Sequence, residues 1–185
     1  MNFVPTALPD VVLIEPRVFP DHRGFFLEMF NAERFKAAGL DLAFAQDNFS
    51  RSKKGVVRGL HFQEPQAQGK LVRTLRGRIW DVAVDIRAGS PTFGRWIAET
   101  LDDENRKALW IPPGFAHGFC ALSDEADVEY KCTALYAPEC ERTLLWNDPA
   151  LGIPWPVEAP ILAPKDQAGT PLARLAPLPA FRKSA

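Results

Sequence analysis

The chain has 185 residues, 46% of them hydrophobic and 24% charged, enough for one well-filled core and too apolar for extensive disorder. Lys and Arg number 22 against 23 Asp and Glu, so a formal net charge of −1 gives the chain as a whole no electrostatic footprint for nucleic acid or an anionic membrane. With 17 Pro and 12 Gly, the chain is cut into short segments and long helices are disfavoured.

The N-terminus, Met1-Asn2-Phe3-Val4-Pro5, has neither the basic start nor the apolar stretch of a secretory signal, and no run of about 18 apolar residues follows; the cytoplasm is expected. Val11 to Ile14, Phe25 to Phe30, Leu42 to Phe49 and Val56 to Gln63 are short apolar or alternating runs bounded by turn formers, and read as strands. Between the second and third, Asn31 is placed to cap a two-turn helix through Ala38 that Gly39 ends. From Lys70 the alternation is explicit. Leu71, Arg73 and Leu75 share one face, Gly77-Arg78 suggests a hairpin turn, and Trp80, Val82, Val84 and Ile86 share a face of the next strand. Further strands are expected at Arg95–Thr100, Leu109–Ile111, Phe119–Leu122, Val128–Tyr136 and Arg142–Trp146, a spacing that suggests an all-β sandwich or barrel. Beyond Trp146 the chain is Pro- and Ala-rich and is expected to drape over the barrel, ending in a mobile tail. Cys120, Cys132 and Cys140 are odd in number, lack C-x-x-C spacing and read as reduced small hydrophobes.

Three His exist. His22, in Asp21-His22-Arg23-Gly24, reads as a solvated turn residue. His61 lies in an apolar strand, where a buried structural histidine and a catalytic one are equally open. In a regular strand Arg58 and His61 would face opposite sides, and a bulge at Gly59 would turn both into one cavity. His117, in Pro113-Gly114-Phe115-Ala116-His117, matches half of a metal-binding barrel pattern, or else closes the barrel mouth as a loop residue. The other half of that pattern requires His-x-His and a carboxylate, whereas the chain offers His61-Phe62-Gln63, so no metal site is expected. Arg51-Ser52-Lys53-Lys54 reads as a solvated face, but Arg58 and Lys70 sit among apolar residues and need a partner or an anionic ligand. Tyr130, Cys132, Ala134 and Tyr136 share a face by period-two counting, so the only two Tyr are either core aromatics or an acid and a stacking platform. Phe26, Phe62, Phe115 and the five Trp read as core or rim.

Together, Phe19-Pro20-Asp21-His22-Arg23-Gly24-Phe25-Phe26, Gln46-Asp47-Asn48, Val57 to Gln63, Gln68 to Arg73, Asp81 to Arg87, Ser90 to Gly94, Pro113 to Phe119 and Trp146-Asn147-Asp148 resemble the dTDP-4-dehydrorhamnose 3,5-epimerase family. The likeness runs over about residues 3–170, taken as a single domain, with 171–185 as a C-terminal tail. It implies a mainly β, cupin-type jelly-roll barrel with one short N-terminal helix and an irregular C-terminal segment. A homodimer is implied, in which N-terminal strand residues reach the partner's site, as is a reaction without cofactor or metal: inversion at C3 and C5 of a dTDP-4-keto-6-deoxyhexose. Carried over by position, His61 is the proton acceptor, Tyr130 the donor on the other face, Asp166 the carboxylate behind the histidine and Lys70 the cation near the C4 oxygen. Arg23, Phe26, Glu28, Gln46, Asn48, Arg58, His117, Glu141 and Lys165 fall at binding positions, and Tyr136 at the aromatic that stacks on thymine. The competing readings are an epimerase acting at C3 or C5 only, a non-catalytic sugar-nucleotide-binding cupin and a metal-dependent cupin oxygenase.

Overall fold

A computed structural model describes residues 1–181. Two antiparallel sheets lie face to face as a jelly-roll barrel. One runs in the order β1 (Asn2–Pro5), β2 (Val12–Glu15), β10 (Ala108–Ile111), β7 (Lys70–Arg76), β12 (Glu125–Cys132), β5 (Gln46–Lys53). The other runs β13 (Glu141–Thr143), β6 (Val57–Gln63), β11 (Phe115–Ala121), β8 (Arg78–Asp85), β9 (Trp96–Asp102). β3 (Val18–Asp21) and β4 (Gly24–Leu27) form a separate hairpin that belongs to neither sheet.

Alternation along the strands produces three apolar layers rather than one. Between the sheets lie Val72, Ile79, Ala83, Leu109, Phe115, Phe119 and Val128. Outside the six-stranded sheet, helix α1 (Ala32–Ala37) and the chain after it cover Leu71, Ala108 and Trp110 with Phe35, Leu42 and Phe44. Asn31 caps that helix by accepting from Arg34 N at 3.1 Å, as its position before the helix requires. Outside the five-stranded sheet, Leu144, Leu151, Ile153 and Leu175 pack on Leu60, Phe62, Val82 and Val84. Each such fully buried side chain contributes about 1.5–3 kcal/mol, and the outer layers leave strands β6 and β8 apolar on one face and free to be polar on the other.

Several boundaries differ from the sequence reading. Gly77-Arg78 is a corner and not a hairpin: β7 and β8 belong to opposite sheets, and the chain crosses between them at Gly77. Gly77 has φ 76°, and a Cβ there would lie 2.2 Å from the Glu125 carbonyl oxygen, so the crossing is tight enough to require glycine. The strand expected over Val128–Tyr136 ends at Cys132, and the strand expected from Leu42 starts at Gln46, leaving Leu42 and Phe44 to the outer layer. His117 is inside β11 and buried, not in a loop at the mouth. A second helix, the single turn α2 (Pro164–Gln167), was not apparent from the sequence.

The segment after Pro171 packs against the barrel as far as it is described: Leu175 is buried, and Phe181 N donates to the Ala88 carbonyl at 3.0 Å. Residues 182–185 lie outside the described part. All three Cys are buried and unpaired. No helix among the described residues is long and apolar enough to cross a membrane.

Candidate active site

At one end of the barrel the interior turns from apolar to polar. A cavity of about 370 Å³ opens between the sheets there. Gln46, Asn48 and Ser50 of β5, Lys70 of β7 and Tyr130 of β12 line one wall; Arg58, His61 and Gln63 of β6 and His117 of β11 line the other.

Period two alone would separate Arg58 from His61. Along β6 and β11 the pairs are His117 with His61 and Phe119 with Arg58, two residues on β11 against three on β6. The extra residue is a bulge at Gly59 and Leu60, and it brings Arg58 and His61 into the same cavity, as the sequence reading required. Gly59 has φ 125°, and a Cβ there would sit 2.5 Å from Gly118 Cα. Only glycine lets the two strands approach this closely.

His61 Nε2 lies 2.5 Å from Asp166 Oδ1, and the carboxylate comes from α2 with Asp166 only 1% exposed. Short, charge-assisted and shielded from water, this contact fixes the ring and selects the tautomer protonated at Nε2. Across the cavity Tyr130 is half-buried. Burial raises its pKa, joined by the nearby Glu141 carboxylate and opposed by Arg58, so its phenol stays protonated. Lys70 is buried in the inner face, and among the described residues its Nζ donates only a long 3.4 Å bond, to the His61 carbonyl. Burial lowers its pKa, against Cys132, Asp81 and Glu141, which raise it.

Around the mouth, Lys165 Nζ donates to Glu141 Oε1 at 2.8 Å and the Tyr136 hydroxyl to Glu141 Oε2 at 3.2 Å. Burial works to raise the Glu141 pKa, but the bond to Lys165 and its charge, together with the Tyr136 bond, outweigh it and hold the carboxyl below its ordinary value. Gln46 links to Asn48 and to the Tyr136 backbone, and Arg58 Nε donates to Ser52 Oγ at 2.9 Å. Tyr136 is therefore at the cavity, although it arrives on a loop and not on the strand face that period-two counting gave it.

Of the fourteen residues expected at the site, eleven line this cavity: Gln46, Asn48, Arg58, His61, Lys70, His117, Tyr130, Tyr136, Glu141, Lys165 and Asp166. Arg23, Phe26 and Glu28 do not. They belong to the β3–β4 hairpin and the residue beyond it, where Arg23 pairs with Asp21, Phe26 is 69% exposed, and Glu28 bonds Asn31. His22 is exposed in the turn of that hairpin.

The sequence reading missed Asp81. Completely buried, it receives His117 Nε2 at 2.8 Å through Oδ1, while Oδ2 has no partner among the described residues. Burial raises its pKa, against the His117 contact and the Lys70 ammonium. A carboxylate alternating with Trp80 and Val82 in an apolar strand was the available signal. A divalent metal fits this donor set poorly. Both histidines are engaged by carboxylates through Nε2, Gln63 stands two residues beyond His61, and no three His, Cys, Asp or Glu converge among the described residues.

The barrel and its cavity define a cupin-type protein equipped for proton transfer, with a carboxylate-backed imidazole on one wall, a protonated phenol on the other and an ammonium between them. The family model for dTDP-4-dehydrorhamnose 3,5-epimerase matches residues 5–174. A dTDP-4-dehydrorhamnose 3,5-epimerase of Neisseria gonorrhoeae is 58% identical over 91% of the chain, which spans 52% of that longer protein's length. The Pseudomonas aeruginosa protein of the same name is 56% identical over 90% of this chain and 93% of its own. The crystal structure of the dTDP-6-deoxy-D-glucose-3,5-epimerase of Legionella pneumophila, in complex with dTDP-4-keto-L-rhamnose, superposes with a TM-score of 0.95 at 49% identity, covering 98% of this chain and 99% of that one. The chain belongs to the dTDP-4-dehydrorhamnose 3,5-epimerase family.

Proposed function

We propose that the protein converts dTDP-4-dehydro-6-deoxy-D-glucose to dTDP-4-dehydro-L-rhamnose by inverting C3 and C5. The observation that carries this reading is the His61–Asp166 pair facing Tyr130 across a cavity whose only buried ammonium among the described residues is Lys70. C3 and C5 both adjoin the C4 ketone, so loss of either proton gives an enolate with its charge on the C4 oxygen. Lys70 meets that charge in a water-poor site, where an oriented cation acts most strongly. His61 takes the proton from one face, and Asp166 stabilises the imidazolium that forms. Tyr130 delivers its phenolic proton to the opposite face of the same carbon, which closes the C–H bond with inverted configuration. The proton on His61 leaves to solvent and the tyrosinate regains one from it, which readies the site for the second carbon.

Arg58, Gln46 and Asn48 are assigned to the nucleotide and diphosphate, His117, Glu141 and Lys165 to further contacts, and Tyr136 to stacking on the base. Arg23, Phe26 and Glu28 are assigned to the cavity of a second copy in a homodimer. This assignment is supported by a hairpin that joins neither sheet and by the exposure of Phe19, Phe25 and Phe26. Residues 1–170 act as one domain. Three unpaired Cys support a reducing compartment, the cytoplasm.

Incubation with the 4-keto sugar nucleotide after exhaustive chelation tests the reaction. Full turnover is expected, lost in both His61→Ala and Tyr130→Phe; activity that depends on added iron would overturn the reading.

A further inference from the structure

Tyr136 sits on a stretch with no ladder of its own, between the end of β12 at Cys132 and the 3-10 turn at Pro138–Cys140. Its backbone groups are held by side-chain amides instead. Gln68 Nε2 donates to the Ala134 carbonyl at 2.8 Å, and Tyr136 N donates to Gln46 Oε1 at 2.8 Å. Gln63 alone grips both sides of Tyr136. Its Nε2 donates to the Leu135 carbonyl at 3.3 Å and to the Gln66 carbonyl at 2.9 Å, while its Oε1 accepts from Ala137 N at 3.0 Å.

Two carbonyls on one side and an N–H on the other determine which end of the amide is nitrogen. No carboxylate, hydroxyl or imidazole of the same reach offers that combination, and Glu would set a charge against two carbonyl oxygens. Gln63 is 4% exposed, so these backbone groups have little access to water should the amide be removed. The flanking Leu135 and Tyr136 side chains are 64% and 50% exposed, so packing does little to hold the loop. The position is also the inward one next to His61 along β6, where a metal-binding barrel needs its second histidine. Here its polar atoms are spent on the loop.

We infer that Gln63 is a positioning residue for substrate binding: by bracketing Tyr136 it holds the ring at the cavity rim, and so sets affinity for the nucleoside end without taking part in proton transfer. The inference rests on the assignment of Tyr136 to base stacking.

The test is calorimetric titration of dTDP into the intact enzyme and into Tyr136→Ala, Gln63→Met and the double variant, alongside kinetics with the 4-keto sugar nucleotide. Gln63→Met keeps the length of the chain and removes both hydrogen-bonding roles. It is expected to weaken dTDP about five- to tenfold, the effect of one or two neutral hydrogen bonds. KM should rise by the same factor while kcat changes by less than about twofold, and the double variant should bind no more weakly than Tyr136→Ala. Should Gln63→Met fail to fold, Gln63→Glu, which keeps the acceptor for Ala137, is expected to move affinity in the same direction. If Tyr136→Ala weakens dTDP while the Gln63 variants bind as tightly as the wild type, or if the two losses multiply, the positioning role is wrong and the stacking assignment stands. If Tyr136→Ala binds dTDP unchanged, the stacking assignment itself fails, and the role given to Gln63 fails with it.

Discussion

Replacing Lys70 by Met separates what the residue does for the reaction from what it does to the fold. Lys70 is 7% exposed, and its ammonium holds one long bond, to the His61 carbonyl at 3.4 Å. A buried charge so poorly partnered is a burden on stability, and an apolar chain of equal length in its place is expected to raise stability by about 1 kcal/mol or more. For a domain of this size that corresponds to about 2–4 °C in Tm. The same change removes the cation that meets the enolate oxygen, and kcat should fall about 10²–10³-fold. The pH dependence has a definite sign. Burial lowers the Lys70 pKa in the folded protein, so the penalty of the buried charge is present in full below the folded pKa. As pH rises through that value the ammonium deprotonates, and the stability gap between Lys70→Met and the wild type should close by about pH 10.4, the unfolded value. Thermal melts from pH 7 to 10 and saturating kinetics at pH 7 measure both effects. A Lys70→Met protein that melts lower and keeps its kcat would refute the reasoning and make Lys70 a structural anchor of the His61 carbonyl.

In Tyr130→Phe, inversion should slow by about 10²–10⁴-fold. His61 would still wash solvent deuterium into the substrate with retention, whereas His61→Ala should lose both exchange and inversion; NMR of the sugar protons distinguishes these outcomes. Asp85 accepts Arg87 Nη2 at 2.7 Å and the Ser90 and Thr92 hydroxyls at 2.6 Å. Burial raises its pKa, but these bonds outweigh it and leave the carboxyl low. Its stability contribution is therefore present above the unfolded value of about 3.9 and is lost as pH falls through the folded one. Asp85→Asn should cost about 3–5 kcal/mol in denaturant unfolding at pH 7, with the deficit shrinking below about pH 4. Gly59→Ala should lower activity and stability together, because its Cβ would meet Gly118 Cα at 2.5 Å; an unchanged kcat would deny that the bulge places His61.

Much of this architecture is legible in the residues. Strand spacing, the Asn31 cap and the inward run of Tyr130 and Cys132 follow from local periodicity and capping chemistry. The bulge could be anticipated because an odd spacing between Arg58 and His61 conflicted with a shared cavity, and Gly59 was the residue able to resolve it. Gly77-Arg78 misled because a corner between sheets and a hairpin turn make the same local demand for positive φ; which strands pair is decided by distant contacts. Trp80, Val82 and Val84 mark the outward face of β8, covered by the C-terminal segment, and Asp81 escaped notice on the inward one. Tyr136 lies beyond the reach of period counting, since the amides that hold its loop come from β5, β6 and the segment just before β7.

Solvent exchange during turnover tests the proposed reaction most directly. With dTDP-4-dehydro-6-deoxy-D-glucose in deuterium oxide, the product should carry deuterium at both C3 and C5 with both centres inverted, since each carbon loses its proton to His61 and regains one from Tyr130. Label and inversion at only one of the two carbons would contradict the double epimerisation, and inversion without label would contradict proton transfer through solvent-exchanging groups.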